Sequence, residues 1–118
     1  MNHQDMDVWK NSIEMVTNVY NLTNDFPESE NYNLTSQIRR SAISVPSNIA
    51  EGCARFSDKE TLKFISIAIG SIAELETQII IAKNLTYIKD DKDIMLQLEN
   101  IKKMLLGLSN YLTNKKQN

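Results

Sequence analysis

The chain has 118 residues, 42% of them hydrophobic, with a net charge of −2 and a single cysteine. This length fits one domain that buries roughly two-thirds of its unfolded surface, and a lone Cys excludes a disulfide framework. Near-balanced charge removes any global pull toward nucleic acid or an anionic membrane.

Three glycines, two prolines and no run of alternating apolar residues argue for an all-helical chain. Met1 to Asp5 contain neither a basic nor an apolar segment, so no secretory signal is expected and the chain reads as cytoplasmic. The sequons at Asn21, Asn33 and Asn84 then carry no weight. Charge is unevenly spread. Asp5, Asp7, Glu14, Asp25, Glu28 and Glu30 face only Lys10 at one end, and Lys102, Lys103, Lys115 and Lys116 close the other. Lysines there suit the negative end of a helix dipole.

The first helix is expected over about 7–24. Trp9, Ile13, Val16, Tyr20 and Thr23 step by four and three as a core seam, with Asp5 or Asp7 as its cap. The run Asp25 to Asn31 breaks it, because Pro27 pushes Phe26 out of helical geometry. Phe26 should pack back on the bundle.

A second helix is expected over about 33–54. Leu34, Ile38, Ala42, Val45, Ile49 and Cys53 form one apolar stripe, which makes Cys53 a small core residue. Pro46 removes the bond to the Ala42 carbonyl and should kink the helix. The stripe keeps phase across Pro46, which favours one bent helix over two, with Ser41, Ser44 and Ser47 serving freed carbonyls. Gly52 lets another backbone approach. On the opposite flank Gln37, Ser41, Ser44, Asn48, Glu51 and Arg55 form a single polar line of hydroxyls, amides and one acid–base pair.

Ser57-Asp58-Lys59-Glu60 is a capping box that opens a third helix over about 58–88, on the order of 45 Å long. Leu62, Ile65, Ile69, Ile72, Ile79 and Ile80 make one stripe; Phe64, Ala68, Leu75 and Ala82 make another. Together they cover about half the circumference, more than the roughly 100° that a surface helix needs. Glu74, Glu76 and Gln78 speak against a membrane span, so a second copy of the chain is the expected cover. Ser66, Gly70, Ala73 and Thr77 form a column of small residues where a neighbour could come close. A fourth helix, about 91–114, carries Ile94, Leu98, Ile101, Leu105, Leu108 and Leu112 in bundle rhythm. Glu99 and Lys103 are spaced to pair, and Thr113 to Asn118 should fray.

Chemistry is sparse. His3, the only histidine, falls in a segment expected to be disordered, and no Glu-x-x-His or Cys/His cluster offers a metal site. No glycine-rich loop leads into a helix to hold phosphate. No cofactor, small-molecule substrate or catalytic residue is expected. Glu51 and Glu74 could meet as a carboxylate pair but have no nucleophile or metal to work with. A second polar line, Ser71, Glu74 and Gln78, matches the first in chemistry, and buried polar groups demand partners. The two lines are expected to face each other, within a subunit or across an interface. Arg39, Arg40, Arg55, Lys59 and Lys63 are the candidate nucleic-acid contacts, placed near the corner between helices two and three.

The run Gln37-Ile38-Arg39-Arg40-Ser41-Ala42 through Val45-Pro46-Ser47-Asn48-Ile49-Ala50-Glu51-Gly52 and Ala54-Arg55 resembles the bacterial four helix bundle protein family. Some members of that family are encoded by intervening sequences in large-subunit ribosomal RNA genes. The likeness continues through Phe64, Ile67-Ala68, Gly70-Ser71, Glu74 to Gln78 and Leu85-Thr86-Tyr87-Ile88, with Val8-Trp9 and Phe26-Pro27 upstream. It implies an antiparallel up-and-down four-helix bundle in a homopentameric ring, and no enzymatic activity. The family is similar to the accessory protein of diversity-generating retroelements, a pentamer that binds nucleic acid and a reverse transcriptase through basic surfaces; the present chain is mildly acidic. The leading expectation is a non-enzymatic homo-oligomeric scaffold. The alternative is an RNA- or DNA-binding accessory protein.

Overall fold

The computed structural model describes residues 1–115 and contains four long helices, α1 (Asp7–Thr23), α2 (Leu34–Cys53), α3 (Asp58–Asn84) and α4 (Lys92–Lys115). Short 3-10 turns at His3–Asp5 and Glu28–Glu30 precede α1 and α2, and no strand occurs among the described residues. α1 packs on α2, α2 on α3, α3 on α4 and α4 back on α1, while the diagonal pairs do not meet. Contacts at both ends set each neighbouring pair antiparallel. The Thr61 hydroxyl donates to the Gly52 carbonyl (2.8 Å), Lys83 pairs with Asp91 (3.1 Å) and Lys115 reaches Asp58 (3.7 Å). Asn18 donates to Gln97 (2.9 Å), and Cys53 meets Met6 at the far end of the α1–α2 pair from Arg39 and Thr23. The bundle is 51 Å long and about 20 Å across.

The stripes of α2 and α4 both turn into the shared core as their spacing requires. Ile38, Ala42, Val45, Ile49, Leu98, Ile101, Leu105 and Leu112 are buried, each large aliphatic contributing roughly 1.5–3 kcal/mol. α2 runs through the buried Pro46 as a single helix. Gly52 packs tightly against α3: a Cβ there would stand 3.1 Å from the Phe64 Cβ and 3.2 Å from the Thr61 carbonyl oxygen. Phe26 is buried and its ring lies 5.4 Å from that of Tyr87.

α1 departs from the expected seam. Its core line is Val8, Ser12, Met15, Val19 and Thr23, one residue earlier at each of the first four steps. Ser12 and Thr23 can lie in the core because each hydroxyl donates to a carbonyl of its own helix, at 2.7 Å to Trp9 and 2.9 Å to Val19. Ile13 and Tyr20 are consequently exposed, and Trp9 and Val16 half-buried. Neither Asp5 nor Asp7 caps α1; Met6 holds the cap position with no side-chain bond. The N-terminus is ordered rather than loose, since Asn2 caps the first 3-10 turn and the His3 ring meets the Trp9 ring edge-on at 5.2 Å.

Ser57 caps α3 by accepting the Glu60 amide at 3.2 Å. The helix ends at Asn84, short of the expected Ile88, because Thr86 takes a left-handed conformation (φ 67°). The Tyr87 amide then reaches back to the Ala82 carbonyl and the Thr86 amide to Lys83, both at 2.9 Å, closing a Schellman turn. Glycine or asparagine normally marks such a stop; threonine hides it. On α4, Lys102 rather than Lys103 pairs with Glu99 (3.2 Å), because it also reaches Glu76 on α3 (3.8 Å). Thr113 to Lys115 continue the helix instead of fraying, held by buried Leu112 and the Lys115–Asp58 contact. Lys116, Gln117 and Asn118 lie outside the described residues.

Candidate functional site

The two polar lines touch at one contact on one side of the α2–α3 pair. The Ser44 and Ser71 hydroxyls are 2.8 Å apart, and Asn48 donates to the Ser44 carbonyl and hydroxyl at 2.8 and 2.9 Å. Ser44 thus bonds across the interface instead of serving a carbonyl freed by Pro46. In antiparallel register with that pair, Ser41 falls opposite Glu74 and Gln37 opposite Gln78. Ser41 and Ser71 are buried, Ser44, Asn48 and Gln78 half-buried, and Gln37 and Glu74 exposed. The Gln78 Oε1 is buried with no hydrogen-bond partner, a cost of roughly 1–3 kcal/mol unless a further group supplies a donor. Glu51 stands apart from this ladder, exposed and paired with Arg55 at 2.9 Å. Glu51 and Glu74 therefore form no buried carboxylate pair within the subunit.

Beside the ladder, the outer face of α3 is bare and almost uncharged. Ile67, Ile80 and Ile81 are exposed, and between Lys63 and Lys83 the only charges on the helix are Glu74 and Glu76. Glu76 is drawn to Lys102. Gly70, Ala73, Glu74, Thr77 and Gln78 line a shallow depression of about 330 Å³, and a Cβ on Gly70 would meet nothing within 4 Å. The most apolar 18-residue window of α3 has a mean hydropathy of 1.6, and only 33% of it is buried. By length and composition α3 could cross a membrane. Its contacts with α2 and α4 and the two mid-helix carboxylates instead mark it as a bundle helix with one face uncovered.

A second uncovered apolar strip runs between α1 and α2. Trp9, Ile13, Val16, Ile43, Pro46 and Ala50 border a groove of about 360 Å³. This strip is what the displaced α1 seam becomes.

The basic residues do not form one patch. Arg39 and Arg40 sit in the first half of α2, whereas Arg55, Lys59 and Lys63 gather beyond its end. Helix from Arg39 to Cys53 spans about 20 Å at 1.5 Å per residue. Arg55 is neutralised by Glu51 and lies over the Phe64 ring at 4.6 Å. Arg39 donates to the Thr23 hydroxyl (2.9 Å) and stacks on Tyr20 (4.4 Å). Among the described residues no carboxylate pairs with Arg39, Arg40, Lys59 or Lys63.

Among the described residues three groups have shifted acidities. Burial pushes the Cys53 thiol up, only partly opposed by the N-terminal ammonium, so it is a poor nucleophile. The Tyr87 phenol is raised by its hydrogen bond to Glu30 (2.9 Å), with desolvation adding to it. Lys102 is raised by its bond to Glu99 and then by Glu76.

A profile of the 23S rRNA-intervening sequence protein family matches residues 4–107. The chain belongs to that family. The match takes in α1, α2 and α3 whole and the larger part of α4, so the polar ladder, the bare α3 face and the α1–α2 groove all lie inside the family's shared region. No curated protein matches the chain.

Proposed function

We propose that this family member is a non-enzymatic cytoplasmic scaffold that works as a homo-oligomer, with α3 at the contact between copies. The pentameric ring implied by the family resemblance is the form we favour. One observation carries the reading: a helix of 27 residues leaves Ile67, Ala73, Ile80 and Ile81 exposed on its outer face, with a small-residue depression at its centre. An exposed apolar surface of that kind is costly at roughly 25 cal/mol per Å² and marks an association site. The orphan Gln78 oxygen beside the depression suits a donor from a neighbouring chain.

A ring requires two unlike surfaces that fit each other. The outer α3 face and the apolar α1–α2 strip are unlike and lie on different sides of the bundle, which suits that requirement. We read α3 as protein-covered and not membrane-inserted, because Glu74 and Glu76 would stand mid-bilayer at a cost of several kcal/mol. The nucleic-acid alternative rests on Arg39, Arg40, Lys59 and Lys63, which lie in two separated places. Native mass spectrometry of the purified chain should give a pentamer. A well-folded monomer at micromolar concentration, or flotation with lipid vesicles, overturns the reading.

A further inference from the structure

α1 and α4 make the sparsest contact of the four neighbouring helix pairs. Asn11 donates to the Met104 sulfur (3.6 Å) and Asn18 to Gln97 (2.9 Å), and beside these bridges lies a groove of about 540 Å³. In the antiparallel register the bridges set, Glu14 faces Asn100 and Ile101, and Leu22 faces Asp93. From Asn11 to Leu22 the groove follows α1 for about 17 Å at 1.5 Å per residue, the length of roughly three helical turns. It shares no lining residue with the α1–α2 strip or the α3 depression.

The floor of this groove is apolar and its rim is acidic. Ile94 and Ile101 are buried at the base, Leu22 and Met104 are half-buried, and Leu96 stands 62% exposed beside them. Every charged residue in the lining is a carboxylate: Glu14, Asp90 and Asp93. All three are exposed, and none is in an ion pair among the described residues. Their neighbours Asp91 and Glu99 differ, since these hold Lys83 and Lys102. Asp90 and Asp93 have a local reason to be acidic: Asp90 accepts the Lys92 amide (2.9 Å), and both stand at the positive end of α4. Glu14 has none. It lies in mid-α1, about 12 Å along the groove from the level of Asp93. The side-chain oxygens of Asn11 and Asn18 accept no bond among the described residues. The unspent capacity of the walls is therefore for accepting, and the missing donors and positive charges belong to what fills the groove.

An apolar floor three turns long, with acids on both edges, suits a helix that carries aliphatic side chains on one face and lysine or arginine beside them. An anionic bilayer or a nucleic acid would instead be repelled by the same carboxylates. We propose that the α1–α4 groove is the docking site for a basic amphipathic helix of a partner protein. Docking there is independent of how the subunits assemble.

The test is an amide-resolved NMR titration of the full-length chain with a synthetic leucine–lysine peptide of about four helical turns, its leucines on one face. The Asn18, Leu96, Gln97 and Asn100 amides should shift. A peptide of the same composition with its leucines scattered should bind about tenfold more weakly, and a leucine–glutamate counterpart should not bind. Glu14→Gln combined with Asp93→Asn should weaken the amphipathic peptide about tenfold and flatten its salt dependence. Leu96→Ala should weaken it by a similar factor and leave the salt dependence unchanged. These side chains are exposed, so the fold is not at risk. Binding should persist in Ala73→Arg, a change in the α3 depression, which reads this surface separately from the contact between copies. Shifts confined to the α3 face or the α1–α2 strip, equal binding of the scattered peptide, or loss of binding in Ala73→Arg overturns the proposal. So does spermidine moving the groove amides as strongly as the peptide, which would mark a site for small organic cations.

Discussion

α3 and α4 lie side by side and bury rows of the same kind, yet their outer faces have little in common. α4 turns Ile94, Leu98, Ile101 and Leu105 inward and surrounds its leftover Leu96 and Leu106 with Glu99, Lys102, Lys103 and Asn100. α3 turns Ile65, Ala68, Ile72, Leu75 and Ile79 inward and then presents Ile67, Gly70, Ala73, Thr77 and Ile81 to water with a single free charge, Glu74. Both helices stabilise one core. The contrast teaches that a helix's buried row and its exposed row answer to separate demands, and that only the second row speaks to association.

The sharpest way to break that contrast is a matched pair of charges. Ala73→Arg places a cation in the α3 depression and should convert the assembly to folded monomer, read by light scattering after gel filtration. Leu106→Arg on α4 should leave the assembly mass unchanged. Loss of assembly in both variants would mean that the two outer faces are alike in function.

The next effect concerns how α3 is seated on α2. Gly52→Ala forces a methyl against the Thr61 carbonyl and Phe64 and should cost about 1–3 kcal/mol in chemical denaturation. Smaller and of opposite sign, Thr86→Gly should gain about 1 kcal/mol, because a β-branched residue is held in the left-handed region where glycine is unstrained. It acts at the α3–α4 corner without touching either outer face, so assembly should be unaffected.

The smallest effect is a pH dependence. The folded Tyr87 phenol titrates above its unfolded value because its proton is shared with Glu30. Its contribution is therefore complete below the unfolded pKa of about 10 and is lost as pH rises through the folded value. Tyr87→Phe should flatten the alkaline part of the stability curve in denaturant melts at successive pH values. Lys102, raised chiefly by Glu99, has the same sign and leaves a residual slope.

Much of this molecule can be read from its residues where one helix decides the matter alone. The α2 and α4 stripes, the Ser57 cap, the tight spot at Gly52 and the Ser44–Ser71 meeting all follow from spacing and chemistry within one or two neighbouring segments. α1 misleads because two rows of equal rhythm compete, and the truly buried one hides behind Ser12 and Thr23, whose hydroxyls are satisfied locally. The end of α3 misleads because Thr86 lacks the residue type that advertises a left-handed turn. The basic residues appear clustered only while helix length is ignored, and the Tyr20–Arg39 stack needs the α1–α2 pairing before it exists. Long-range adjacency is the part that periodicity cannot supply.

The square cross-section of the bundle has one more implication. If the outer α3 surface of each copy meets the α1–α2 strip of the next, every addition leaves one of each unsatisfied, and growth ends only when the last copy returns to the first. The angle at which that happens is built inside a single subunit, by which corner α3 occupies relative to the α1–α2 side. In such a ring the number of copies would be set by the packing of one chain's own core, and a small change in how α3 leans would alter that number or leave an open spiral.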